Sequence, residues 1–74
     1  MMNAIDYIYE FMMTKAFEDY VETAYFSNSF STEEAYVMML ITAREQGIIL
    51  KNLGDVNYDR IFHRGYKFSA QELK

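Results

Sequence analysis

The sequence predicts an all-α fold, a small bundle of three to four short helices around a central apolar helix at about 32–46. First, a helix-capping signal and a glycine bracket a continuous apolar segment there. Second, the first 25 residues contain neither Gly nor Pro. Third, the only strand-like run, residues 48–50, has no visible partner. At 74 residues the chain is a single helical domain, 1–74.

The first predicted helix runs from Asn3, a candidate N-cap, to about Tyr25. Its apolar residues form two stripes about a quarter-turn apart, which one straight helix would not pack against a single neighbour. We therefore expect a bend or restart near residues 13–15, or a second subunit that covers the second stripe. The first stripe is Ile5, Ile8, Tyr9, Met12 and Ala16, and the second is Met13, Phe17, Tyr20, Val21 and Ala24.

The central helix follows a polar loop at residues 26–30. Ser31 to Glu34 fits the capping box, in which the Ser31 hydroxyl accepts from the Glu34 amide and the Glu34 carboxylate bonds back to the Ser31 amide. The helix is apolar on nearly every side and stops at Gly47. Such a pattern is typical of a helix that its neighbours surround.

The region after Gly47 predicts a connector and a third helix. Residues 48–50 are expected to pack on the core without forming a sheet, and residues 53–55 to turn the chain. Asp55 or Asn57 then caps a short helix that buries Tyr58, Ile61 and Phe62.

We expect this third helix to run to Arg64 and to end at Gly65. Residues 66–68 are then an extended link, and residues 69–72 match a second capping box. The final turn is too short to be stable alone, so it must dock or fray.

Composition argues against several kinds of chemistry. Without cysteine and with a single histidine, the chain has no disulfide and no cysteine-based zinc site. Asp59 and His63 lie one turn apart, but two ligands do not make a metal site. No Gly-x-Ser-x-Gly turn and no phosphate loop occur, since the three glycines stand singly. We therefore predict a protein that is not an enzyme and uses no cofactor and no metal.

The predicted location is the cytoplasm. No run approaches the roughly 18 apolar residues of a membrane span, so we expect no membrane association. The opening methionines lead into Asp6 and Glu10 instead of a basic segment, which argues against a secretory signal.

Charge is uneven along the chain. Residues 1–37 carry seven acids and one lysine, a sum of −6, whereas residues 38–74 sum to +2, which gives the net charge of −4. An acidic half attracts basic partners and repels nucleic acid. Aromatic side chains that a small core does not absorb would add contact area. The predicted partner-binding residues are Asp6, Tyr7, Glu10, Phe11, Glu18, Glu22 and Tyr25, with Tyr7 and Phe11 expected to be exposed off both apolar stripes.

The leading hypothesis is therefore a small acidic helical protein that binds the basic surface of another protein as a regulator or inhibitor. It includes a modulator of host defence from a phage or mobile element, such as an anti-CRISPR or anti-restriction protein. We also predict a homodimer, because a second copy would cover the second stripe of the first helix.

Two alternatives stay open. One is an accessory subunit of a larger enzyme. The other is a nucleic-acid-binding regulator, in which a basic cluster binds phosphate. Nucleic acid is the less favoured partner, because a helix-turn-helix spacing at residues 43–47 is followed by a segment that lacks a recognition helix. The candidate anion-binding residues are Arg60, His63, Arg64 and Lys67.

Overall fold

The computed structural model describes all 74 residues and confirms the all-α class. Two short 3₁₀ turns lie at Leu53–Asp55 and Gln71–Leu73. A two-stranded parallel sheet is the one element outside the predicted class. The helices are α1 (Ala4–Phe11), α2 (Lys15–Ser27), α3 (Thr32–Glu45) and α4 (Tyr58–Ala70), and the strands are β1 (Met2–Asn3) and β2 (Leu50–Lys51).

The predicted restart near residues 13–15 is confirmed, and Thr14 explains it. The Thr14 hydroxyl donates to the carbonyl of Phe11, at the end of α1, over 2.6 Å. The same oxygen accepts from the amide of Phe17, in the first turn of α2, over 3.3 Å. The Thr14 side chain thus forms hydrogen bonds with backbone groups of both helices, so the chain turns without leaving these two groups unpaired.

The restart also changes which residues of α1 face inward. Tyr7, Ile8 and Phe11 are buried, while Ile5 and Tyr9 are 40% and 54% exposed. The prediction that Tyr7 and Phe11 are exposed is therefore wrong. It extended one helical period across the break at Thr14, whereas α1 has only eight residues and turns independently of α2.

The core is built around three phenylalanine rings from three helices. Phe11 of α1, Phe17 of α2 and Phe62 of α4 are fully buried. The ring centroid of Phe11 lies 5.5 Å from that of Phe17 and 6.1 Å from that of Phe62, both in edge contact. Phe17 and Phe62 stack at 6.0 Å. Phe17, Val21 and Ala24 of the second apolar stripe are therefore buried within one chain, and only Met13 of that stripe is strongly exposed, so the stripe gives little reason for a homodimer.

Helix α3 contacts all three other helices, as its predicted central position requires. Its inner face consists of Ala35, Met39 and Ala43, all buried. Its outer face is not covered, because Val37 and Ile41 stay 51% and 52% exposed. The helix is thus central in its contacts but open on one side.

The start of α3 confirms the predicted cap in part. The Ser31 hydroxyl accepts from the Glu34 amide over 3.4 Å. The Ser31 amide, however, donates to the Tyr20 hydroxyl over 2.9 Å, and that hydroxyl donates to the Ser31 carbonyl over 3.0 Å. Tyr20 thus replaces the Glu34 carboxylate and ties α2 to the start of α3.

The expectation that residues 48–50 join no sheet is wrong for Leu50. Leu50 pairs with Met2 and Lys51 with Asn3 in parallel register. The Met2 amide also donates to the Ile49 carbonyl over 2.9 Å. The partner strand has two residues, too few to show the alternation by which a strand is recognised in sequence.

Helix α4 begins as predicted and ends later. The Asn57 side chain accepts from the Arg60 amide over 3.2 Å, which makes Asn57 the N-cap. The helix continues through Gly65 to Ala70, so the predicted end at Gly65, the extended link and the second capping box are wrong. A β-carbon at Gly65 would collide with the sulfur of Met12. This glycine therefore permits close packing instead of ending a helix.

Candidate functional site

The candidate site is a groove of about 320 Å³ that we call the acidic groove. It lies between α2, the turn that joins α1 to α2, and the C-terminal end of the chain. Its shape follows from the restart at Thr14 and from the length of α4, which brings residues 68–73 back to α2. It is lined by Met12, Met13, Glu18, Val21, Glu22, Phe68, Ser69, Glu72 and Leu73.

Three carboxylates surround the acidic groove. Glu18 and Glu22 lie one turn apart on α2, and Glu72 belongs to the C-terminal turn. None of the three forms an ion pair within the chain, whose only charged contacts are Lys15 with Asp19 at 3.4 Å and His63 with Asp59 at 3.3 Å. The groove therefore presents three negative charges, none of which is in an ion pair.

Apolar side chains lie beside these carboxylates. Met13 and Phe68 are 80% and 73% exposed, and Val21 is buried behind them. Large apolar side chains exposed next to one another are typical of surfaces that bind other macromolecules. The groove thus presents a mostly polar, acidic surface beside two exposed apolar side chains, an arrangement suited to a ligand that is basic and also carries apolar side chains.

The structure brings some predicted partner-binding residues to this surface. Glu18 and Glu22 line the groove, and Tyr25 continues their line along the same face of α2. Asp6 and Glu10 are exposed on α1, and the turn after Glu10 leads directly to Met13, whose amide donates to the Glu10 carbonyl over 3.1 Å.

Tyr7 and Phe11 are in the core and cannot contact a partner. The Tyr7 hydroxyl donates to the side-chain carbonyl of Gln46 over 2.5 Å, which joins α1 to the end of α3. Burial raises the pKa of Tyr7, and the nearby charge of Glu10 adds to the effect. Tyr7 therefore stays neutral and acts as a structural donor.

Sequence reasoning missed the apolar half of the groove. The sequence places Met12 and Met13 on the two apolar stripes of the first helix and Phe68 in the predicted extended link, with no sign that they meet. The available signal was the polar cap at Asn57 followed by 13 residues without proline, which is compatible with a longer α4.

A second charged surface is the outer side of α4, which we call the basic face. All four candidate anion-binding residues are exposed, and their spacing of three, four and seven positions places them on one side of the helix. They are Arg60, His63, Arg64 and Lys67.

His63 lies in the middle of α4, away from both helix ends. Its Nε2 is 3.3 Å from Asp59 Oδ1, and its ring centroid is 5.1 Å from that of Phe30. The same Asp59 oxygen accepts from the Thr32 hydroxyl over 2.8 Å. The Asp59 carboxylate thus links Thr32, at the start of α3, to His63 in α4. No group of three or more His, Cys, Asp or Glu side chains is placed to hold a metal ion.

None of the four helices combines the length and the hydropathy needed to cross a membrane. No protein-family model, curated protein or solved structure matches the chain.

Proposed function

We propose that this protein is a non-catalytic module that binds a basic segment of another protein in the acidic groove and thereby regulates or inhibits that protein. The observation that supports this is the set of three carboxylates without an ion pair that line one groove with the exposed side chains of Met13 and Phe68. A carboxylate cluster alone would be an ordinary solvated surface. The adjacent exposed Met13 and Phe68 are what a solvated surface does not need.

The ligand we favour is an amphipathic helix with apolar side chains on one side and Lys or Arg at its edges. Such a helix would place its apolar side against Met13 and Phe68, in the helix-in-groove manner. Met side chains adapt to differently shaped ligands because they are unbranched and polarisable. Its cations would meet Glu18 and Glu22, which fix the register and accelerate the encounter.

This mode of action fits a small regulator or an inhibitor that occupies a basic functional surface. A modulator of host defence from a phage or mobile element is one such protein, and an accessory subunit of an enzyme would differ only in keeping one permanent partner. The proposed location is the cytoplasm, a reducing compartment in which a small domain is held together by its core instead of by disulfides.

The test is affinity capture from host lysate at about 50 mM and about 500 mM salt, with three forms of the tagged protein. The groove variant combines Glu18→Gln, Glu22→Gln and Glu72→Gln. The control variant combines Glu33→Gln, Glu45→Gln and Asp55→Asn, three exposed acids outside the groove. Each variant loses three negative charges, so the two differ only in where the charges are removed.

We expect wild type and the control variant to retain the same protein at low salt and to lose it at high salt, and the groove variant to retain none. Equal capture by all three forms would contradict the groove as the site. A complete absence of partners at either salt concentration would contradict the proposed function itself.

A second candidate function is binding of nucleic acid through the basic face, favoured by the arrangement of four basic side chains along one side of α4. The net charge of −4 places it second. It predicts duplex binding at about 50 mM salt that weakens with a log–log slope of about 0.9 per phosphate contact. Undetectable binding at that salt concentration would end this candidate, and Arg60→Gln with Arg64→Gln should abolish any binding that is detected.

A further inference from the structure

The outer face of α3 is apolar at its centre and charged at its ends. Val37 and Ile41 are half-exposed in the middle of the helix. Glu34 precedes them by one turn and Arg44 follows them by one turn, and both are exposed. The spacing of these four residues, three, four and three positions, is that of the contact seam of a coiled coil.

We propose that α3 pairs with α3 of a second copy of this chain, antiparallel, about a two-fold axis level with Met39. Val37 of one copy then meets Ile41 of the other, and Glu34 of one copy meets Arg44 of the other. Because the axis repeats each contact, the dimer has two apolar contacts at its centre and one ion pair at each end.

Charge selects this orientation. A parallel pair would place Glu34 against Glu34 and Arg44 against Arg44, which repel each other. The antiparallel pair replaces both repulsions with attractions, and it also opposes the two helix dipoles favourably. Neither Glu34 nor Arg44 forms an ion pair within the chain, so both are available for this contact.

The half-buried Met38 and Leu40 flank the seam near the axis and would widen the apolar contact. Helix α3 has 14 residues and is about 21 Å long. A single pair of such helices buries less than the roughly 1,200 Å² of a standard interface, so we expect a weak and reversible dimer.

This dimer differs from the one that the sequence predicted through the second stripe of the first helix, most of which is buried within the chain. It also does not depend on the proposed function. No residue of α3 lines the acidic groove, so the groove would stay open in both copies.

The test is analytical ultracentrifugation of the whole chain from about 10 µM to about 1 mM, in which the average mass should rise from 8.8 kDa toward twice that value. Ile41→Asp should raise the dissociation constant of the dimer at least tenfold, so that this variant stays almost entirely monomeric over the same concentrations. Phe26→Asp is the matched control, because Phe26 is 71% exposed on α2, and it should leave association unchanged. Circular dichroism verifies that every variant folds.

A charge exchange tests the orientation. Arg44→Glu should raise the dissociation constant by about tenfold, since each of the two end contacts changes from attraction to repulsion. The double variant Glu34→Arg with Arg44→Glu restores the ion pair at each end of the dimer with the charges exchanged. Its dissociation constant should return to within about threefold of the wild-type value. A mass of 8.8 kDa at every concentration, equal effects of Phe26→Asp and Ile41→Asp, or failure of the charge exchange to restore association would each overturn the proposal.

Discussion

Removal of the Phe62 ring should test whether the three-phenylalanine contact holds the helices together. Phe62 is fully buried and contacts Phe11 in edge geometry and Phe17 by stacking, so it joins α4 to both α1 and α2. Truncation of a buried phenylalanine to alanine costs about 3–5 kcal/mol. A domain of 74 residues has a total free energy of unfolding of about 4–11 kcal/mol. Phe62→Ala should therefore remove about a quarter or more of the free energy of unfolding.

The assay is urea denaturation followed by circular dichroism, with Phe68→Ala as the matched control. Phe68 lies on the same helix but is 73% exposed, so its truncation should change the free energy of unfolding by no more than about 0.5 kcal/mol. If Phe62→Ala does not fold, Phe62→Leu should still show a loss of about 1–2 kcal/mol. Equal losses for positions 62 and 68 would refute the core described above.

Three further results are expected. Asn57→Ala should lower the free energy of unfolding by about 1 kcal/mol, because it removes the side chain that accepts from the Arg60 amide. Asn57→Asp keeps an acceptor at this position and should retain most of the wild-type stability. Gly65→Ala should stabilise a Met12→Ala background by about 1 kcal/mol of helix propensity and wild type by less, because the Met12 side chain must shift to admit the β-carbon; equal effects in both backgrounds would contradict the proposed contact. Burial raises the pKa of Tyr7, Tyr20 and Tyr58, so these tyrosines ionise at lower pH in the unfolded chain than in the folded one. The free energy of unfolding should therefore fall as pH rises above about 10, as measured by urea unfolding with absorbance at 295 nm. A free energy of unfolding that does not change above a pH of about 10 would refute this expectation.

Local signals predicted much of the fold. The caps at Ser31 and Asn57 and the break near residues 13–15 depend on side chains that bond to their own neighbouring backbone, so a single sequence reveals them. Tertiary contacts decided the rest. Gly65 resembles a helix end in sequence, whereas in the structure it lies inside α4, where the Met12 sulfur occupies the space of a β-carbon.

For the same reason, the sequence predicts the acidic residues of the candidate site but not its apolar residues. Glu18 and Glu22 stand out in sequence because acids dominate the first 37 residues. Their apolar neighbour Phe68 comes from the other end of the chain, and its position depends on the full length of α4. The inward placement of Tyr7 could not be predicted either, because an eight-residue helix is oriented by its packing and not by its own periodicity.

The central claim is that the acidic groove holds a basic segment of another protein, and photo-crosslinking tests it most directly. A photoreactive phenylalanine analogue would replace Phe68, at the edge of the groove, or Ile49, which is 68% exposed outside it. With the protein captured from lysate, we predict crosslinks from position 68 to a peptide rich in Lys and Arg, and none from position 49. Crosslinks from position 49 alone, or to an acidic peptide, would contradict the proposed mode of binding.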